Sequence, residues 1–185
     1  TVSWSGNRVN FHDTDLKGAC IIELEKLEDE RGFFARTWCR KEFEDQGLVA
    51  RVVQANTSFN TRAGTLRGMH YQAAPYQETK LVRCTSGALY DVIVDLRPDS
   101  PTYKRWTAVE LTAGNGRMLY VPADFAHGFI TREDNTEVNY LISEAYTPGA
   151  GRGLRWDDPA LGIEWPRPVE VISDQDAGWP DFADN

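Results

Sequence analysis

The sequence has 185 residues, 41 % hydrophobic and 26 % charged, with 15 Gly and 9 Pro; this suits one folded domain and excludes disordered, collagen-like and low-complexity chains. A formal net charge of −8, with no stripe of Lys or Arg, argues against nucleic-acid or anionic-membrane partners. No apolar run approaches the ~18 residues of a membrane span, and the start at Thr1, Val2, Ser3 and Trp4 lacks a signal-peptide pattern, so a cytoplasmic protein is expected. Cys20, Cys39 and Cys84 are widely spaced and odd in number, which predicts three reduced thiols instead of a disulfide framework or a thiolate zinc site.

In chain order, runs rich in β-branched and aromatic residues, bounded by Gly, Pro, Asn and Asp, predict strands over Ala19–Leu24 and Gly32–Trp38. A short charged helix follows at Arg40–Gln46, stopped by Gly47. Further strands are expected at Val52–Phe59, Thr65–Tyr71, Lys80–Cys84, Ala88–Leu96, Trp106–Leu111, Met118–Val121, His127–Thr131 and Val138–Ser143. The clearest is Ala88–Leu96, where even positions are apolar and Asp91 and Asp95 interrupt the odd face, the two-residue period of a sheet. Many strands with one or two short helices predict an all-β antiparallel barrel or jelly roll. Residues 1–185 read as a single domain, in which the segment from about 154, with four Pro and three Trp, wraps the barrel irregularly.

Histidine occurs at positions 12, 70 and 127 only. His12 lies in a polar stretch and reads as solvated. The segments Gly64–Gln72 and Gly116–His127 resemble the two motifs of the cupin superfamily of small β-barrels. Metal cupins carry two histidines in the first motif, and here Gln72 takes the place of the second. Two imidazoles remain, too few for a three-ligand catalytic metal, so no metal is expected.

A longer match runs through Asp29–Phe34, Gln54–Asn56, Leu66–Gln72, Lys80–Cys84, Tyr90–Asp95, Val121–Phe129 and Gly162–Pro166. These segments, in this order, resemble the dTDP-4-dehydrorhamnose 3,5-epimerase family over roughly Leu24 to Pro180. The resemblance implies a cupin-like jelly roll, a homodimer, and no cofactor. It also implies inversion at C3 and C5 of a nucleotide-diphosphate sugar of the dTDP-4-keto-6-deoxy-D-glucose type. A 4-keto group acidifies the C–H bonds on both neighbouring carbons, so a base, an enolate-stabilising donor and an acid are all the reaction requires.

By resemblance His70 is the base, Asp176 bonds its second ring nitrogen, Tyr140 returns the proton and Lys80 meets the C4 oxyanion. Read without it, Asp176 could cap a turn, Tyr140 could be a core aromatic and Lys80 a strand-edge lysine. Arg31, Gln54, Asn56 and Arg67 match positions that contact diphosphate or sugar, and Phe34 and Tyr146 positions that pack on the base. The resemblance also places Arg31 and Phe34 on a strand reaching the neighbouring subunit, so that each active site is shared between two chains. Arg67 and His70 are three residues apart and would face opposite ways on a regular strand; both reach one site only if Gly68 marks a bulge.

The sequence departs from the family at Arg36, where an acidic residue is common, and in the residues of the loop Ala73–Thr79. Thymidine is the first expectation for the base, with cytidine or another nucleotide open. The alternatives are a 3-epimerase acting at C3 only, a 3,4-ketoisomerase, and a non-catalytic sugar-binding cupin; the last has no use for an acid and a base together.

Overall fold

The computed structural model describes residues 8–182. Six strands form one sheet in the order β1 (Val9–Asp13), β2 (Cys20–Leu24), β10 (Arg117–Val121), β7 (Lys80–Ser86), β12 (Thr136–Ile142) and β5 (Gln54–Asn60). Five form a second, in the order β13 (Gly151–Gly153), β6 (Leu66–Gln72), β11 (Phe125–Thr131), β8 (Ala88–Asp95) and β9 (Trp106–Thr112). All these strand pairs are antiparallel, and the two sheets face each other as a jelly-roll sandwich. A separate hairpin pairs β3 (Leu27–Asp29) with β4 (Gly32–Phe34), and the helices are α1 (Arg40–Asp45) and α2 (Asp174–Ala177).

Between the sheets lies a core built from both, including Val82, Leu119 and Val138 from one and Leu89, Ile93, Leu111 and Phe129 from the other. Each sheet is also covered on its outer face. Phe43 of α1, 1 % exposed, packs with Ile22, Leu81, Met118 and Tyr120, a burial worth about 2 kcal/mol. Behind the second sheet, Leu154, Leu161, Trp165 and Phe182 cover Met69, Val92, Val94 and Ala126. Strand β8 is therefore buried on both sides, and the face interrupted by Asp91 and Asp95 is the one that carries Leu89 and Ile93 into the inner core.

The ten predicted strands are all present, with ends shifted by a few residues. The largest difference is β4, which stops at Phe34 instead of Trp38. The hairpin is isolated from both sheets, so residues beyond Phe34 have no ladder to join. Instead Trp38 turns in against Phe43, and Arg36 pairs with Glu42 at 2.5 Å. The other oxygen of Glu42 accepts the Val9 N–H, so Arg36 fastens this segment to α1 and β1. The helix runs from Arg40 to Asp45, and Gly47, at φ +72°, closes it in a left-handed conformation that suits glycine.

His12 is a surface residue 3.4 Å from Glu23. All three cysteines are free thiols; burial pushes Cys20 up to about 12 and Cys84 up to about 11. Among the described residues no helix is long and apolar enough to cross a membrane.

Candidate active site

A cavity of about 680 Å³ opens between the sheets, with β5, β7 and β12 on one wall and β6 and β11 on the other. Its lining includes His70, Lys80, Tyr140, Gln54, Asn56, Arg67 and Tyr146, seven of the ten residues singled out from the sequence. Asp176 stands directly behind His70. Arg31 and Phe34 do not line the cavity; they belong to the separate hairpin, where Arg31 pairs with Asp29 at 2.5 Å and Phe34 is 40 % exposed.

Gly68 is what brings Arg67 and His70 to the same side. His70 pairs with His127 and Arg67 with Phe129, so three steps along β6 match two along β11, which is a β-bulge. Gly68 lies at φ +132°, and a Cβ there would come within 2.5 Å of the Gly128 Cα. Only glycine permits both the conformation and the close approach.

His70 Nε2 bonds Asp176 Oδ1 at 2.6 Å, leaving Nδ1 as the ring nitrogen available to a ligand. The carboxylate also accepts the Gly68 N–H on Oδ2 at 3.1 Å and the Trp179 indole N–H on Oδ1 at 3.2 Å. Burial alone raises a carboxyl, but the His70 interaction and the Gly68 and Trp179 donors outweigh it and hold Asp176 below its ordinary value. The turn-capping role falls to Ser173, whose Oγ accepts the Asp176 N–H at the start of α2.

On the facing wall, burial pushes the Tyr140 phenol well above its ordinary value, a rise only partly offset by a hydrogen bond with Ser58. Tyr140 therefore holds its proton at neutral pH. Lys80, the first residue of β7 and 12 % exposed, bonds Glu78 Oε1 at 2.5 Å. Asn60 orients Arg67 by accepting its Nε–H at 2.7 Å, while Gln54 donates to Asn56 and accepts the Tyr146 N–H. Gln72, standing where a metal cupin has histidine, donates to the Tyr76 and Ala145 carbonyls and accepts the Thr147 N–H. Its amide thus joins the loop at 73–79 to the segment after β12.

The cavity lining also holds polar and aromatic residues that were not among the predicted site residues. His127 Nε2 bonds the fully buried Asp91 at 2.6 Å and meets the Tyr140 ring edge to face at 6.2 Å. Glu78, Ser58 and Trp179 also line the cavity. Asp91 and Glu78 each carried a sequence signal, the first as an acidic residue on an inward strand face and the second two residues before Lys80. Ser58 and Trp179 carried none.

The family model described as dTDP-4-dehydrorhamnose 3,5-epimerase matches residues 13–184. The chain belongs to this family. A dTDP-4-dehydrorhamnose 3,5-epimerase of Methanothermobacter thermautotrophicus is 44 % identical over 178 residues, covering 95 % of each chain. The crystal structure of the Bacillus anthracis 3,5-epimerase with TDP and PPi bound superimposes with a TM-score of 0.92 at 40 % identity, covering 95 % of this chain and 100 % of that one. A 3'-monoepimerase from Streptomyces bikiniensis, in complex with dTDP-quinovose, is more distant at a TM-score of 0.85 and 32 % identity, covering 92 % and 86 %. The fold is the cupin-like jelly roll of these epimerases, and the chain is a carbohydrate epimerase of the isomerase class.

Proposed function

We propose that this epimerase inverts C3 and C5 of a dTDP-4-keto-6-deoxy-D-glucose type sugar, with His70 as base and Tyr140 as acid. The observation that carries the reading is their placement on opposing walls of one cavity, His70 on β6 and Tyr140 on β12. His70 Nδ1 takes the C3 proton, and the C–H electron pair moves into the C4 carbonyl to form an enolate. Lys80 Nζ–H donates to the enolate oxygen. Reprotonation from Tyr140 on the other ring face regenerates the ketone with C3 inverted; His70 then releases its proton to solvent, Tyr140 takes one back, and the same cycle follows at C5. The hydrogen leaves and returns as a proton, so no electrons are exchanged with a second reactant. Arg67, Gln54 and Asn56 hold the diphosphate and sugar, and Tyr146 at the mouth packs on the base.

The second reading, inversion at C3 only, is favoured by the similarity to the Streptomyces monoepimerase. Identity is higher to the 3,5-epimerases, and inversion at both carbons is the conclusion adopted. Turnover in heavy water separates the two, because each inverted carbon retains deuterium. Proton NMR should lose both the C3 and the C5 signals, C3 first; loss at C3 alone establishes the 3-epimerase. Tyr140→Phe should still exchange the C3 proton while completing no inversion, and full inversion by this variant would remove Tyr140 from its role.

Arg31 and Phe34 complete the reading as residues lent to a partner's cavity in a homodimer, since the hairpin that carries them stands apart from its own. Arg31→Ala and His70→Asn chains, each inactive alone, should then regenerate activity when mixed; verified subunit exchange without recovery would refute the shared site. Three unpaired thiols suit the reducing cytoplasm.

A further inference from the structure

Trp179 lies in the segment after α2, where sequence reasoning expected an irregular wrap. Its indole N–H donates to Asp176 Oδ1 at 3.2 Å, the same oxygen that bonds His70 Nε2 at 2.6 Å. Its ring meets the His70 imidazole edge to face, with centroids 6.2 Å apart and planes at 71°. The indole is itself held from below. Gly153 of β13 is paired with His70 in register, and a Cβ on Gly153 would fall 2.1 Å from the Trp179 ring. The absence of a side chain at Gly153 therefore lets the indole lie on the backbone directly opposite the histidine.

We propose that Trp179 is a positioning residue that fixes the Asp176 carboxylate, and through it the tautomer and orientation of the His70 ring. With Gly68 N–H on Oδ2 and the indole N–H on Oδ1, both oxygens are anchored and the carboxylate cannot rotate about its Cβ–Cγ bond without losing a donor. Asp176 is itself only 5 % exposed. Such an outer partner sets ring orientation and basicity without touching the reacting atoms. The inference rests on the reading of His70 as the base.

Trp179→Phe keeps an aromatic ring over Gly153 and removes only the donor. A hydrogen bond to a charged acceptor of this kind is expected to be worth about tenfold in rate, so kcat for C3 exchange should fall about tenfold with KM changed less than twofold. Trp179→Ala should fall further, and a matching melting curve for Trp179→Phe keeps the test valid if the alanine variant does not fold. In proton–nitrogen NMR, the indole resonance missing from Trp179→Phe should move in Asp176→Asn. An unchanged kcat in Trp179→Phe, a rise confined to KM, or an indole resonance indifferent to Asp176→Asn would each overturn the proposal. His70→Asn serves as the separate control: if it retained exchange, the assignment of the base would fail, while the indole shift would still report the contact with Asp176.

Discussion

His70 and His127 are neighbours across β6 and β11, and each bonds an aspartate through Nε2 at 2.6 Å. The two carboxylates nevertheless move in opposite directions. Asp176 collects donors from His70, Gly68 and Trp179 and is held below its ordinary value. Asp91 is fully buried, its Oδ2 has no hydrogen-bond partner among the described residues, and burial raises it despite His127. The rings differ too: the His70 side chain is 45 % exposed to the cavity and that of His127 only 6 %. Equal distances therefore conceal unlike environments. A pair with a fully hydrogen-bonded carboxylate and an open ring is suited to cycling a proton, while the buried pair, with one carboxylate oxygen unpartnered, is suited to bracing the wall behind Tyr140.

The largest expected effect comes from breaking the open pair. His70→Asn should lower turnover on the order of 10³-fold while nucleotide affinity and melting temperature stay near those of the parent, because Asp176 keeps its Gly68 and Trp179 donors. Calorimetric titration with dTDP and deuterium uptake measure the two halves; turnover within tenfold of the parent would sink the base assignment. The sealed pair should fail in the other way. His127→Ala leaves Asp91 buried without its donor, and denaturant unfolding should show a loss of about 3 kcal/mol; stability equal to that of His70→Ala would erase the distinction drawn between the pairs.

A third carboxylate sharpens the rule. Asp95 shares the inward face of β8 with Asp91 and is equally buried, but accepts from Arg97, Ser100 and Thr102. Burial is outweighed and Asp95 is pushed down to about 2 from 3.8. A lowered folded value stabilises above the unfolded one, so the contribution is complete at neutral pH and fades as pH falls from about 4 toward 2. It amounts to about 2 kcal/mol. Asp95→Asn should lose that amount at pH 7, and the gap to the parent should narrow below pH 4; a gap constant across that range would contradict the assignment.

Strands were legible wherever a two-residue period carried enough apolar surface, as in Ala88–Leu96. The three that were not, β1, β3 and β13, are held by their neighbours more than by their own residues. The sequence Val9–Asp13 is mostly polar and exists as an edge on β2, and Gly151–Gly153 has almost no side chain with which to announce a strand. Within the site, resemblance located His70, Lys80, Tyr140 and Asp176, and Gly68 was readable as a bulge from the spacing of Arg67 and His70. Contacts spanning long stretches of chain left no local trace. Asp91 was visible as a polar interruption, yet nothing near it indicates that its partner is His127, and nothing around Trp179 points to the histidine at 70 or to the glycine at 153. Arg36 shows the converse: a departure from the family pattern that drew attention as a question of base recognition is taken up by Glu42, outside the cavity lining.

His70 and Asp176 are separated by 106 positions, and this spacing sets an order of events during synthesis. Both sheets and the inner core are complete once β13 has emerged, but the histidine then lacks its carboxylate until α2 follows. A ribosome-bound or C-terminally trimmed chain ending before Asp176 would keep both sheets but lack Trp179 from the cavity lining and leave the His70 imidazole unassisted. Chemistry is the last property this chain acquires and the first that nibbling from its C-terminal side would remove.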